Sequence, residues 1–193
     1  MLDRVRALLG GTFDPPHLGH LAAGEAAYRS LGLKSVAFLP AGDPWQKRDR
    51  SVTGAEHRLA MTRTAIADVS YFTVDERELH RDGPSYTIDT LEALGDERVV
   101  LVLGADAAAG LRSWHRADEV AERAAIAVVP RAGIGRSAVA EAVPDAVWLD
   151  MPELPISGAD LRARVAAGAS IRFLVRAAVW EYIEMHGLYR EAS

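Results

Sequence analysis

Short β-rich runs alternate with helical stretches along most of this chain, and that alternation restricts the fold more than any other feature of the sequence. A strand followed by a helix followed by another strand builds a parallel sheet with helices on both faces. Val5 to Leu9 reads as the first strand, His17 or Leu18 to Leu31 as a helix, and Val36 to Leu39 as the second strand. A helix over Gly54 to Ala67 is predicted to begin with the capping box Thr53-x-x-Glu56. The alternation then continues through a strand Phe72 to Glu76, a helix Tyr86 to Leu94, and strands Val99 to Leu103, Ile126 to Val129 and Val147 to Leu149. Short helices are expected over Ala107 to Leu111 and Asp118 to Arg123, and helices Asp160 to Ala167 and Leu174 to His186 close the chain, the last stopped by Gly187. Val175, Val179, Tyr182, Ile183 and His186 form a stripe on that last helix, expected to pack on the core.

The length of 193 residues fits one domain over 1–193, with neither a linker nor an internal repeat to divide it. Zero cysteines exclude a disulfide framework, a thiolate zinc site, an iron–sulfur cluster and a thiol nucleophile. No apolar run approaches the ~20 residues a bilayer requires, so no membrane partner is expected and the chain is placed in the cytoplasm. A formal net charge of −5 argues against a nucleic-acid partner and toward a small-molecule ligand, and a homo-oligomer stays open. The polar stretch Ala41 to Thr53 is long for a connector and is expected to be a loop near that ligand.

The chemistry concentrates where the first strand ends, in Gly10-Gly11-Thr12-Phe13-Asp14-Pro15-Pro16, followed by His17-Leu18-Gly19-His20 at a helix start. Paired glycines allow backbone amides to approach a phosphate, and a helix N-terminus adds partial positive charge. His17 and His20 lie three residues apart and share one face of the helix. Gly19 between them lowers helix propensity by about 1 kcal/mol relative to alanine, which suggests a close approach to the backbone. Taken singly, the glycines read more readily as a tight turn, and a metal pair at the histidines is disfavoured, with no cysteine in the chain and Asp14 and Glu25 as the only carboxylates nearby.

The combined string resembles the nucleotidyltransferase superfamily with the H/T-x-G-H signature, and within it the nicotinate mononucleotide adenylyltransferases. The resemblance extends to Gly83-Pro84-Ser85-Tyr86-Thr87-x-Asp89-Thr90-Leu91, to Leu103-Gly104-Ala105-Asp106, to Ser113-Trp114-His115 and to Gly187-Leu188-Tyr189-Arg190. It implies a Rossmann-like, doubly wound sheet and transfer of AMP from ATP to nicotinate mononucleotide, giving nicotinate adenine dinucleotide and pyrophosphate. It also implies catalytic roles for His17, His20 and Arg162. ATP is assigned to Gly10, Gly11, Thr12, Phe13, Gly19, Lys47, Gly104, Asp106, Arg131 and Ser157, and the mononucleotide to Thr87, Trp114 and His115. Mg2+ is expected to be carried mainly by the ATP phosphates. A phosphate-monoester acceptor is largely dianionic at pH 7, so the chemistry requires positioning and charge neutralisation more than a base.

The chain departs from the family at two places. The I-S-S-T-x-I-R signature reads Ile156-Ser157-Gly158-Ala159-Asp160-Leu161-Arg162, which removes two hydroxyls and leaves Arg162 and the helix amides to carry more of the phosphate binding. Restoring Gly158→Ser and Ala159→Thr is expected to improve ATP binding modestly. Pro44-Trp45-Gln46-Lys47 stands where the family has P-P-H-K, and Trp45 reads equally as a lid residue or a surface aromatic. Two alternatives remain: a pantetheine-phosphate adenylyltransferase, whose family typically has Thr where His17 stands, and a nucleotide-binding module with weak or lost turnover.

Overall fold

The computed structural model describes residues 5–43 and 52–190. Six parallel strands are present among them: β1 (Val5–Gly11), β2 (Val36–Pro40), β3 (Phe72–Val74), β4 (Arg98–Gly104), β5 (Ala124–Val129) and β6 (Val147–Trp148). They pair in the order β3-β2-β1-β4-β5-β6, with Leu9 beside Val102 and Gly10 beside Leu39 at the centre. This is the Rossmann order, and its direction reverses between β1 and β4, where a crevice opens at the carboxyl ends of the strands.

Residues of odd and even number on each central strand enter two separate cores, as the two-residue period of a strand demands. Leu9, Phe38, Val102 and Ala127 face α1 (Leu18–Ser30), α2 (Ala55–Ile66), α7 (Gly158–Ala166) and α8 (Ala177–Met185). Leu8, Leu39, Leu101 and Val128 face the opposite group, α3 (Thr87–Leu94), α4 (Ala105–Ala109), α5 (Ala117–Arg123) and α6 (Arg136–Ala142). Fully burying a side chain such as Phe38 or Leu101 contributes about 1.5–3 kcal/mol.

The chain differs from the sequence expectation in particulars with local causes. Helix α2 begins after Gly54 without a capping box, because the backbone of Thr53 is engaged elsewhere: its N–H donates to Asp14 Oδ2 at 3.2 Å and its carbonyl accepts from Arg58 Nε at 2.8 Å. Helix α6 was not anticipated; Val139 is its only buried residue, too weak a periodic signal to read. β3 ends at Val74, since the Asp75 carboxylate folds onto Arg77. Helix α8 starts at Ala177 rather than Leu174 and stops as expected: Gly187 takes φ 58, its N–H reaches the Glu184 carbonyl, and Leu188 N–H reaches that of Ile183. Of the stripe on α8, Val175, Val179 and Ile183 are buried, while Tyr182 meets His57 of α2 through a 2.9 Å hydrogen bond and His186 stays exposed. No helix among the described residues is long and apolar enough to cross a membrane.

Candidate active site

The loop after β1 shows why its residue types are needed. Phe13 sits at φ 50, a left-handed conformation unfavourable for a side chain by about 1–2 kcal/mol. In exchange its ring is buried, packing on Phe38 at 5.6 Å and edge-on to His20 at 4.9 Å. Gly11 must be small, since a Cβ there would lie 3.0 Å from that ring, whereas a Cβ on Gly10 would meet nothing within 4 Å. Gly10 therefore leaves open space over the carboxyl end of β1.

His17 is the N-cap residue of α1 and its imidazole stacks on that of His20, with ring centroids 3.7 Å apart. The His17 N–H donates to His20 Nδ1 at 3.2 Å. In the neutral His20 ring the proton must then sit on Nε2, which makes Nε2 the donor nitrogen of the ring. His17 is buried, and its Nδ1 has no hydrogen-bond partner among the described residues. Burial first, and the nearby Arg131 charge second, push its pKa down to about 4, so it is a neutral imidazole at pH 7. The group that approaches the backbone at Gly19 is this ring, 3.1 Å from where a Cβ would stand.

Below the histidines a set of buried polar groups gathers distant parts of the chain. The Asp14 carboxylate accepts from Tyr189 Oη at 2.7 Å through Oδ1 and from the Thr53 amide through Oδ2. Arg162 Nη1 donates to the Asp14 carbonyl at 2.6 Å and lies 3.7 Å from Oδ2. Burial and the Asp14 charge hold the Tyr189 phenol well above its ordinary pKa, so it stays a donor. Arg58, 1% exposed, donates to the carbonyls of Thr12 (3.0 Å), Ala41 (2.6 Å), Gly42 (2.9 Å) and Thr53. One guanidinium thus ties the loop after β1 to the loop after β2.

Helix α7 begins opposite. Ser157 Oγ accepts the Asp160 N–H at 3.1 Å and donates to Asp160 Oδ2 at 2.7 Å, so that carboxylate is held on the cap. Gly158 packs against the Asp14 loop so closely that a Cβ would sit 2.8 Å from the Asp14 carbonyl oxygen. This corrects the expectation for Gly158→Ser: the helix start has no room for the family's serine without a shift of backbone. Arg131 Nη1 donates to the Ile156 carbonyl at 3.2 Å, and its Nε lies 3.8 Å from Asp106 Oδ1. Gly104 precedes that pair, and a Cβ there would be 2.6 Å from the same Asp106 oxygen.

These elements enclose two adjoining cavities of about 310 and 300 Å³, which share Thr12, His20, Asp106 and Arg131. The smaller is the phosphate-like end, with Phe13, His17, Ser157 and Arg162 on its walls. The larger runs over Gly10, Gly11, Gly19 and Gly104 to Thr87, Trp114 and His115, with the His115 ring 4.4 Å from that of Tyr86. Every sequence-predicted site residue within the described part lines one cavity or both; Phe13 does so from the loop while its ring belongs to the core. Lys47, with Pro44, Trp45 and Gln46, lies outside the described residues. Sequence reasoning missed Arg58 and Glu78. Arg58 sits among the polar residues of α2 with no local mark of burial, and the signal for Glu78 is only its place seven residues before Ser85.

Comparison with known proteins agrees with this geometry. The cytidylyltransferase-like family profile matches residues 8–164. A curated protein of Roseiflexus sp. (strain RS-1), described as "Probable nicotinate-nucleotide adenylyltransferase", is 46% identical over 95% of this chain and 96% of its own. One of the same description from Pseudomonas syringae pv. tomato is 41% identical over 98% and 95%. The fold matches the Plasmodium falciparum nicotinic acid mononucleotide adenylyltransferase complexed with NaAD, with a TM-score of 0.81, 18% identity, and coverage of 96% of this chain and 97% of that one. The run from Gly10 to His20, the strand order and these relatives agree, and the chain belongs to the cytidylyltransferase-like family, among the nicotinate-nucleotide adenylyltransferases.

Proposed function

We propose that the chain acts as one cytoplasmic domain that transfers AMP from ATP to nicotinate mononucleotide, releasing pyrophosphate and forming nicotinate adenine dinucleotide, a step of NAD synthesis. The observation that carries this reading is the pair of joined cavities, one lined by imidazole and guanidinium donors and the other by Trp114, Tyr86 and Thr87. The names of the curated relatives and the NaAD complex of the Plasmodium protein support it.

The mononucleotide phosphate oxygen attacks the α-phosphorus of ATP as the bond from that phosphorus to the β-bridging oxygen breaks, and the electron pair leaves on pyrophosphate. The attacking oxygen carries no proton, so no side chain is needed as a base. His20 Nε2–H and Arg162 donate to the transferring and leaving phosphates, while the amides that open α1 add the helix N-terminal field. Neutral His17 keeps the His20 ring in place by stacking, with a backbone N–H on Nδ1. Arg162 is itself held by Asp14, so its fork approaches the phosphates pre-aimed. Mg2+ enters with ATP as part of the substrate and neutralises the triphosphate.

The test is a coupled pyrophosphate-release assay with Mg-ATP and nicotinate mononucleotide, nicotinamide mononucleotide, phosphopantetheine or no acceptor. Release that depends on a pyridine mononucleotide is expected. Release with phosphopantetheine alone, or ATP binding without any release, overturns the reading.

A further inference from the structure

Between β3 and α3 lies a buried carboxylate to which the chemistry above gives no role. Glu78 is 6% exposed, yet it forms part of the wall of the larger cavity. Thr90 Oγ1 donates to its Oε1 at 2.8 Å, and the Ser85 side chain is close enough to favour the charged form of the same carboxylate. Ser85 Oγ also accepts the Gly42 N–H at 2.9 Å and the Asp43 N–H at 3.2 Å. With two amides on its lone pairs, a serine oxygen has one proton left, and the Glu78 carboxylate is a nearby acceptor that could take it.

The backbone completes the unit. The Ser85 N–H returns to the Asp43 carbonyl at 2.9 Å, and Asp43 pairs with Pro84 as an isolated parallel bridge. A Cβ on Gly42 would lie 2.1 Å from the Glu78 carbonyl oxygen, so no other residue type fits there without moving backbone. The two residues after Ser85 are Tyr86 and Thr87, which line the cavity on either side of the start of α3.

We propose that Glu78 is a positioning residue for the acceptor: by taking the hydroxyl protons of Ser85 and Thr90 it aims Ser85 Oγ at the Gly42–Asp43 amides and fixes the wall at Tyr86 and Thr87. The proposal rests on the reading that the mononucleotide occupies the Trp114 end. A carboxylate suits the task because it accepts through both oxygens and presents no donor that needs a partner of its own. Burial is the main influence on its ionisation and pushes the carboxyl up; Thr90, Arg81 and Ser85 favour the charged form, and Asp75 disfavours it.

The experiment compares Glu78→Gln and Ser85→Ala with Trp114→Ala in the full chain, measuring KM separately for the mononucleotide and for ATP, together with kcat. Glu78→Gln is expected to raise the mononucleotide KM roughly tenfold, as loss of one or two hydroxyl hydrogen bonds would, and to move the ATP KM by less than about twofold. Ser85→Ala should give the same split, and it decides the matter if Glu78→Gln does not fold. Thr90→Ser should keep the wild-type mononucleotide KM, whereas Thr90→Val should raise it. Equal shifts of both KM values in Glu78→Gln and Ser85→Ala, or none, overturn the proposal while Trp114→Ala still raises the mononucleotide KM alone. If Trp114→Ala itself moves both substrates equally, the acceptor does not sit at this end, and the underlying reading falls with the proposal.

Discussion

The two ends of the cleft are built in opposite ways. At the phosphate-like end two of the lining side chains, His17 and His20, lie close together in sequence, but the support of their loop comes from far away: Tyr189 on Asp14, and Arg58 on the Thr12 carbonyl. At the Trp114 end the supports are near neighbours in the chain, Glu78, Ser85 and Thr90, whereas Thr87 and Trp114 come from different elements. The polarity of the buried ionisable group differs as well. His17 is an imidazole pushed down and Glu78 a carboxyl pushed up, in both cases with burial as the main cause. A site for an anionic substrate can thus rely on oriented neutral donors at one end, with fixed charge supplied by arginines behind them.

The sharpest way to break this contrast is His20→Ala. Losing one preorganised donor to a developing oxyanion raises the barrier by about 2.7–4 kcal/mol, so kcat should fall roughly 100- to 1,000-fold while the mononucleotide KM stays near wild type. A kcat within threefold of wild type, at unchanged melting temperature, would remove His20 from the chemistry.

The next effect separates the ends by acid. The folded pKa of His17, about 4, lies below its ordinary 6.5, so its contribution is fully present above pH 6.5 and is lost as pH falls toward 4. The unfolded chain takes up that proton first, and about 3 kcal/mol of stability is lost across the window. Glu78 has the opposite sign: its folded pKa is raised, so its contribution is present below the ordinary value of 4.5 and lost as pH rises through the folded value. Denaturant titrations from pH 4 to 7 should show His17→Asn with a flattened acid limb and Glu78→Gln with a steeper one. Parallel curves for both variants and wild type would show that neither burial governs the profile.

The smallest expected effect is at Gly158, where the family pattern has serine. Gly158→Ser places a Cβ against the Asp14 carbonyl and should destabilise the fold by about 1 kcal/mol or somewhat more, read as a lower melting temperature with no gain in ATP affinity. A variant of wild-type stability with tighter ATP binding would show that the loop yields, and the distant support would then be softer than the hydrogen bonds suggest.

What the sequence made legible follows the same division. Strand periodicity and the run from Gly10 to His20 are local signals; the first led to the observed sheet, and the residues of the second line the cleft at the carboxyl ends of its strands. The capping box at Thr53 had the right letters, but Asp14 and Arg58 claim that backbone from across the fold, and a local pattern carries no record of such competition. Arg58 looks like any polar helix residue because its four acceptors are carbonyls, which every residue possesses. Gly158 reads as a missing hydroxyl until the neighbouring loop is present to show that a Cβ there would press on the Asp14 carbonyl.

The hydrogen bond from Tyr189 to Asp14 spans 175 positions, from the first loop of the sheet to the segment after α8. A ribosome adds roughly 5–20 residues per second, so the loop after β1 waits roughly 9 to 35 seconds for the residue that completes its support. Through that interval the nascent chain has its histidines and glycines but lacks one of the donors that hold Asp14. Message cut short before codon 189 therefore yields a protein with every residue of the run from Gly10 to His20 and an unfinished foundation beneath it.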